Sequence, residues 1–239
     1  MQFDPNANKV GGFSDTDGTM NFYLRIKSLL NEESVVLDFG AGRAAWFEDD
    51  PCHTRRSIRL LQGNVKKVIA ADVDDAVLQN RASDEQILLK QHENSEFLQQ
   101  RVDLIVADYV LEHIGDAKIF VQQVDNCLQK GGWFCARTPH KYSYVAVFAR
   151  LIRNKLHAKV LKFIQPDRKE VDVFPTTYKL NTLRDVERAF SGWEQKSYIY
   201  RSDPAYFFGN KIVYRLLSLL HRVLPVFFSG NLFVFVRKP

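Results

Sequence analysis

The stretch Val35-Val-Leu-Asp-Phe39-Gly40-Ala41-Gly42 limits the fold more than any other part of this sequence. A short run of mostly apolar residues reads as a strand buried on both faces, and it stops abruptly at two glycines. Those glycines supply a tight turn, because glycine enters the left-handed backbone region without a Cβ clash. The same rhythm recurs along the chain. Val65–Ala71 ends at Asp72, the brief run Ile87–Leu89 follows, and Val102–Ala107 ends at Asp108. Helical spacing fills the gaps, at about 19–31 (Phe22, Ile26, Leu29 and Leu30), 54–62, about 74–80 and 116–129. In the last of these, Ile119, Phe120, Val124, Cys127 and Leu128 share a face, and Lys130-Gly131-Gly132 ends it. Trp133–Arg137 is then a fifth strand. Alternation of this kind predicts an α/β fold, a Rossmann-like and mostly parallel sheet with helices on both faces.

Beyond Pro139 the pattern changes. Residues 139–169 carry eight Lys/Arg and one acid, Asp167, among apolar positions. Gln195–Tyr200 and Asn231–Val236 read as strands on either side of a helical stretch near 210–224. With 239 residues, 46% of them hydrophobic, and no internal repeat, one domain over 1–239 is expected. Its parts are a core at 20–140, a cap-like helical insertion after the fifth strand at 141–180, and the final strands with an apolar helix at 181–239. Thirty-three Lys+Arg against twenty-eight Asp+Glu leave a net charge of +5, a mild preference for anionic partners that does not identify nucleic acid. Cys52, Cys127 and Cys135 form no CxxC and no zinc spacing, which excludes a disulfide-stapled scaffold and predicts a reducing, cytoplasmic setting. The N-terminal residues are polar and show no secretory pattern. Asp15-Thr-Asp17-Gly18 resembles the opening of a calcium loop, but no glutamate stands at the twelfth position, so a turn or helix cap is expected and no metal site.

In open parallel sheets, ligands sit beyond the carboxyl ends of the strands. Three signals collect at such ends here: the Gly40/Gly42 turn, Asp72, and Asp108-Tyr-Val-Leu-Glu-His113. A carboxylate at Asp72 can accept from both hydroxyls of a ribose. A pyrophosphate turn of GxGxxG type wants a third glycine, where this chain has Ala45, a tolerated replacement. Asp38 would repel a pyrophosphate but suits a ligand carrying an amino group and a sulfonium, which favours S-adenosylmethionine over a nicotinamide cofactor.

Val-Leu-Asp-Phe-Gly-Ala-Gly, then Ala-Asp72-Val-Asp, then Asp103–Ile114, then Leu128-Gln-Lys-Gly-Gly-Trp133 and Thr138-Pro139 resemble, in order and spacing, the motifs of class I S-adenosylmethionine-dependent methyltransferases over roughly 20–140. The Leu-Glu-His-Ile and Thr-Pro pieces are similar to small-molecule and ubiquinone-type O-methyltransferases. The resemblance implies a seven-stranded sheet whose last strand is antiparallel. It also implies that Asp38, Gly40, Ala41 and Gly42 line the methionine part, that Asp72 with Val73 holds the ribose side, and that Asp108 lies beside the cofactor. Two departures stand out. Gly40 to Asp72 spans 32 residues, against roughly 20 in a compact βαβ unit, with Trp46–His53 inserted before the helix. Gln91–Leu98 lacks the pattern that marks the adenine side.

His113 is the candidate general base for a substrate hydroxyl, with support of its loop as the alternative. Glu112 has the same two readings, with a solvated face as its stronger alternative. His140 and Tyr142, after the fifth strand, are candidate substrate contacts. The expected reaction is methyl transfer to a small or lipid-linked acceptor at oxygen. A nucleotide-dependent oxidoreductase on a Rossmann sheet and a non-catalytic cofactor-binding relative are the alternatives. Nucleic acid is not expected, since the Asn-Pro-Pro-aromatic motif of exocyclic-amine methylation is absent. Lys211–Phe228 plots as a helix with a narrow polar stripe of Arg215, Ser218 and Arg222, which predicts packing between sheet and cap. Its alternative is peripheral membrane contact through 139–169 and 211–228.

Overall fold

A computed structural model describes residues 3–89, 101–151 and 176–239. Gln91–Leu98 and most of the basic stretch and cap-like insertion lie outside them. The central strands are β1 (Val35–Phe39), β2 (Lys67–Asp72), β3 (Glu85–Leu88), β4 (Val102–Asp108) and β5 (Leu128–Pro139). They pair in parallel in the order β3-β2-β1-β4-β5. After β5 come β6 (Glu194–Gln195), β7 (Tyr198–Arg201) and β8 (Gly230–Arg237). The last strand, β8, inserts antiparallel beside β5, and both β6 and β7 pair with β8. Among the described residues, eight strands therefore fill seven positions. Between β6 and β7, Lys196 N–H still donates to Phe235 O at 2.8 Å, while Phe235 N–H donates to the Ser197 hydroxyl at 3.1 Å. A side chain replaces one rung of the ladder, and the edge strand is split rather than lost.

Period-two alternation sends strand residues to two cores. Leu37, Ile105 and Phe134 join Phe120 and Val124 of helix α4 (Ala117–Cys127) on one face. Val36, Leu104, Val106 and Cys135 join Phe22, Tyr23 and Ile26 of helix α1 (Gly18–Lys27) on the other. Phe22, Phe134, Phe190 and Phe233 are fully buried, each contributing roughly 1.5–3 kcal/mol. Asp17 caps α1 by accepting from Thr19 and Met20 N–H, both at 3.0 Å, so the calcium-like tetrapeptide is a helix start. The inserted Trp46–His53 segment forms a one-turn helix α2 (Trp46–Asp49), followed by α3 (His53–Arg59).

The helix α5 (Tyr144–Leu151) follows β5, and α6 (Leu183–Ala189) precedes β6. The helix α7 (Lys211–Val223) departs from expectation. It does not bury its apolar face between sheet and cap: Ile212, Leu216, Leu219 and Val223 are exposed, and the polar His221 is the buried residue.

Candidate functional site

At the end of β1 the chain bends over β2. Gly40 N–H donates to Ala71 O at 2.7 Å and Ala41 N–H to the same oxygen at 3.3 Å. Gly40 and Gly42 hold φ of 73° and 51°, the left-handed backbone that glycine permits. A Cβ on Gly40 would lie 2.4 Å from Val110 Cγ2, whereas one on Gly42 would meet nothing within 4 Å. The crowding is thus at Gly40, against the loop after β4, and the space above Gly42 is open.

Asp72 binds this turn from the neighbouring strand. Its Oδ2 accepts from Gly42 N–H at 2.8 Å and its Oδ1 from Asp74 N–H at 3.0 Å. Asn80 closes the arrangement by donating to Gly42 O at 2.9 Å. Each Asp72 oxygen carries one backbone N–H and keeps a lone pair for a further donor. Val73, next along, is exposed. Burial pushes the Asp38 carboxyl up to about 7; the Arg59 guanidinium opposes the rise, and Asp108 and Asp72 reinforce it. An acid held there near neutrality gains from a cationic ligand.

Asp108 lies deeper than the sequence indicates. Arg137 Nε and Nη2 both reach it at 2.7 Å, the Tyr23 hydroxyl donates at 3.2 Å, and Arg59 Nη2 stands 3.3 Å away. Burial raises this carboxyl, but Arg137, Arg59 and the hydrogen bonds more than offset it, and Asp108 sits below the usual carboxylate range. Arg137 also donates to the Thr19 hydroxyl at 2.9 Å and lies over the Tyr109 ring at 4.8 Å. The inserted segment contributes here too, since Arg59 stacks over Trp46 at 4.5 Å and Tyr23 at 5.4 Å. Arg137, Tyr23 and Arg59 escape a motif search. The sign that could have found Arg137 is a cation closing an apolar strand in register with Asp108.

Beside this cluster a cavity of about 570 Å³ is walled by Tyr109, His113, Arg137, Tyr144, Tyr178 and Tyr206, among others. Tyr109, Tyr178 and Tyr206 hold φ of 60°, 52° and 56°, although none is a glycine. Left-handed backbone costs such a residue roughly 1–2 kcal/mol, and three instances from three loops mark a wall held against local preference. Tyr109 N–H is fixed by Arg137 O at 2.7 Å and Tyr178 N–H by Glu112 O at 3.2 Å. Glu112 is not on a solvated face. It is buried, and its Oε2 accepts from the Thr138 hydroxyl at 2.7 Å, because the loop after β4 turns inward over β5. His113 lines the cavity; His140 and Tyr142 do not. His140 is buried with its ring 6.0 Å from Phe227, Tyr142 is exposed, and Ser143 and Tyr144 take the wall instead. Among the described residues, no group of His, Cys, Asp or Glu could hold a metal ion.

The space above Gly42, the half-engaged Asp72 and the raised Asp38 fit a ligand with ribose hydroxyls and a cationic end. Solved structures share the fold at low identity. A cyclopropane synthase, MmaA2 of Mycobacterium tuberculosis, is 16% identical with a TM-score of 0.53, covering 95% of this chain and 87% of its own. A putative methyltransferase of Haloferax volcanii, in complex with the Trm112 activator, is 14% identical with a TM-score of 0.56, covering 92% and 90%. A putative S-adenosylmethionine-dependent methyltransferase of Listeria monocytogenes is 13% identical with a TM-score of 0.52, covering 91% and 97%. No curated protein matches by sequence. The methyltransferase domain family matches residues 19–184, well over half of the chain. The chain therefore belongs to the methyltransferase domain family, enzymes of the class that takes its methyl group from S-adenosylmethionine.

Proposed function

We propose that this chain methylates a hydroxyl of a small or lipid-linked acceptor. In this reading, Asp38, Gly40, Ala41, Gly42, Asp72 and Val73 hold the cofactor, and the tyrosine-walled cavity holds the acceptor. The observation that carries the reading is adjacency. The glycine turn ends β1, the cavity wall grows from the ends of β4 and β5, and β1 pairs directly with β4. Gly40 packs so closely on Val110 that the turn and the Asp108–His113 loop share one boundary.

When bound, S-adenosylmethionine supplies an electrophilic methyl on a sulfonium. The chain's part is to orient the acceptor and exclude water. His113, on the cavity wall, accepts the hydroxyl proton. An acceptor without negative charge suits the lining, because both of its arginines are ion-paired and its remaining carboxylates are held by hydroxyls. Asp17 pairs with Arg55 at 2.8 Å, Arg137 pairs with Asp108, Glu112 accepts from Thr138, and Asp203 accepts from the Thr16 hydroxyl at 2.7 Å. An oxidoreductase of Rossmann type fits less well, since its strand order 3-2-1-4-5-6 places the sixth strand beside the fifth, where here β8 inserts antiparallel.

Incubation with methyl-labelled S-adenosylmethionine and cell extract, followed by fractionation, tests the reading. Label in small molecules or lipids as a methyl ether is expected. Label in protein or RNA overturns the acceptor class, and cofactor binding with no transfer points to the non-catalytic relative. Binding of a nicotinamide cofactor without S-adenosylmethionine would return the oxidoreductase.

A further inference from the structure

We propose that α7 seats this protein on an anionic lipid surface, lying along the bilayer with its apolar stripe at the headgroup boundary. The orientation of the helix carries the inference. Ile212, Leu216, Leu219 and Val223 are 70%, 58%, 58% and 69% exposed, and they recur at spacings of four, three and four residues, one face of a helix. Leu220, 42% exposed, widens the stripe. The opposite face is the inward one: His221 is 5% exposed, its Nδ1 lies 3.1 Å from Ser202 O, and its ring packs 5.6 Å from Tyr144 of the cavity wall. The helix is thus docked through His221 and through Tyr214, whose ring packs on Phe3 and Phe207, and it turns Ile212, Leu216, Leu219 and Val223 outward. Folded surfaces rarely leave a contiguous apolar stripe without a partner.

Charge selects the partner. From Pro204 to Pro239 the sequence contains no Asp or Glu and five Lys/Arg. Three of these, Lys211, Arg215 and Arg222, are exposed and fall together on one flank of the stripe. Lys141 and Arg150, in the described part of the basic stretch, add to the positive surface of the chain. An apolar stripe bordered by cations is what an interfacial helix offers to acidic headgroups. A second copy seated face to face would instead crowd Lys211, Arg215 and Arg222 of both helices, with no acid on either to pair them. Among the described residues no helix is long and apolar enough to cross a membrane, so the contact is along the surface. The proposal does not depend on which acceptor is methylated.

Co-sedimentation of the full chain with vesicles of phosphatidylcholine, with and without phosphatidylglycerol, at low and moderate salt, tests it. The expected result is pelleting with phosphatidylglycerol vesicles, weaker at moderate salt. Leu219→Glu/Val223→Glu changes two exposed positions, so an unchanged melting temperature is expected to confirm folding while partitioning falls at least tenfold. Arg215→Glu/Arg222→Glu is expected to cost more than tenfold, since each cation near an acidic surface contributes roughly fivefold and two are lost together. Wild type left in the supernatant with both vesicle types overturns the proposal, as does pelleting that neither variant reduces. A solution dimer that Leu219→Glu/Val223→Glu dissociates also overturns it, by assigning the stripe to a second copy.

Discussion

Replacing Arg137 with leucine removes the cation that makes a buried Asp108 tolerable. The wild-type side chains are both 5% exposed and meet in two parallel hydrogen bonds of 2.7 Å. The substitution also removes the bond to Thr19 at 2.9 Å. Asp108 keeps the Tyr23 hydroxyl at 3.2 Å and Arg59 at 3.3 Å, so the carboxylate is not abandoned. Breaking a buried pair from one side costs about 3–5 kcal/mol, and the surviving Arg59 contact places this case near 3 kcal/mol. That is a large fraction of the 5–15 kcal/mol typical of a folded protein, and it corresponds to a fall of roughly 6–12 °C in Tm for a chain of this size. Urea unfolding followed by circular dichroism measures it. The pH dependence carries the sharper signature. With Arg137 present, Asp108 is held below its ordinary range, and its stabilising contribution is lost as pH falls. Without Arg137 the effect of burial is no longer offset, and the folded-state pKa rises. The deficit of Arg137→Leu is then greatest at pH 8 and shrinks towards pH 4. Asp108→Asn in the Arg137→Leu background is expected to restore about 1 kcal/mol at pH 8 by removing the stranded charge. A loss below about 1 kcal/mol, or an equal loss at both pH values, would show that Asp108 does not depend on Arg137 for its charge.

Asp38 predicts a proton-linked affinity. With its carboxyl near 7, S-adenosylmethionine binding measured by calorimetry should tighten as pH rises towards neutrality and level off above it, and Asp38→Asn should flatten the curve. Asp72→Ala should weaken the cofactor by roughly 1.5–3 kcal/mol; unchanged affinity in a folded variant removes Asp72 from the site. Gly40→Ala should lower Tm markedly and be partly rescued by Val110→Ala, since its Cβ would sit 2.4 Å from Val110 Cγ2; Gly42→Ala, in open space but at a φ of 51°, should cost about 1 kcal/mol of backbone strain and also impair cofactor binding. His113→Ala should cut turnover by about 100-fold with cofactor affinity retained. A small rate loss with weaker cofactor binding would make His113 a loop support.

Much of the fold was legible because strand and helix periods are local. The runs ending at Phe39, Asp72 and Asp108, and the helix faces built on Phe22, Ile26, Phe120 and Val124, follow from residue type and spacing alone. The glycine turn was legible for the same reason, since positive φ at Gly40 and Gly42 is a property of the residue. Tertiary structure decided the rest. The pairing of Asp108 with Arg137, 29 residues away, exists only because β4 and β5 bring the two side by side in register. Glu112 reads as solvated until its loop folds onto Thr138. The cavity wall falls to Tyr144, Tyr178 and Tyr206 rather than to His140 and Tyr142, because three loops converge there and no local pattern records convergence. An amphipathic pattern gives α7 an apolar face, but the direction of that face depends on what packs against it, and His221 with Ser202 docks the polar side inward. Local sequence sets which atoms a segment offers; only the packed chain sets which of them meet.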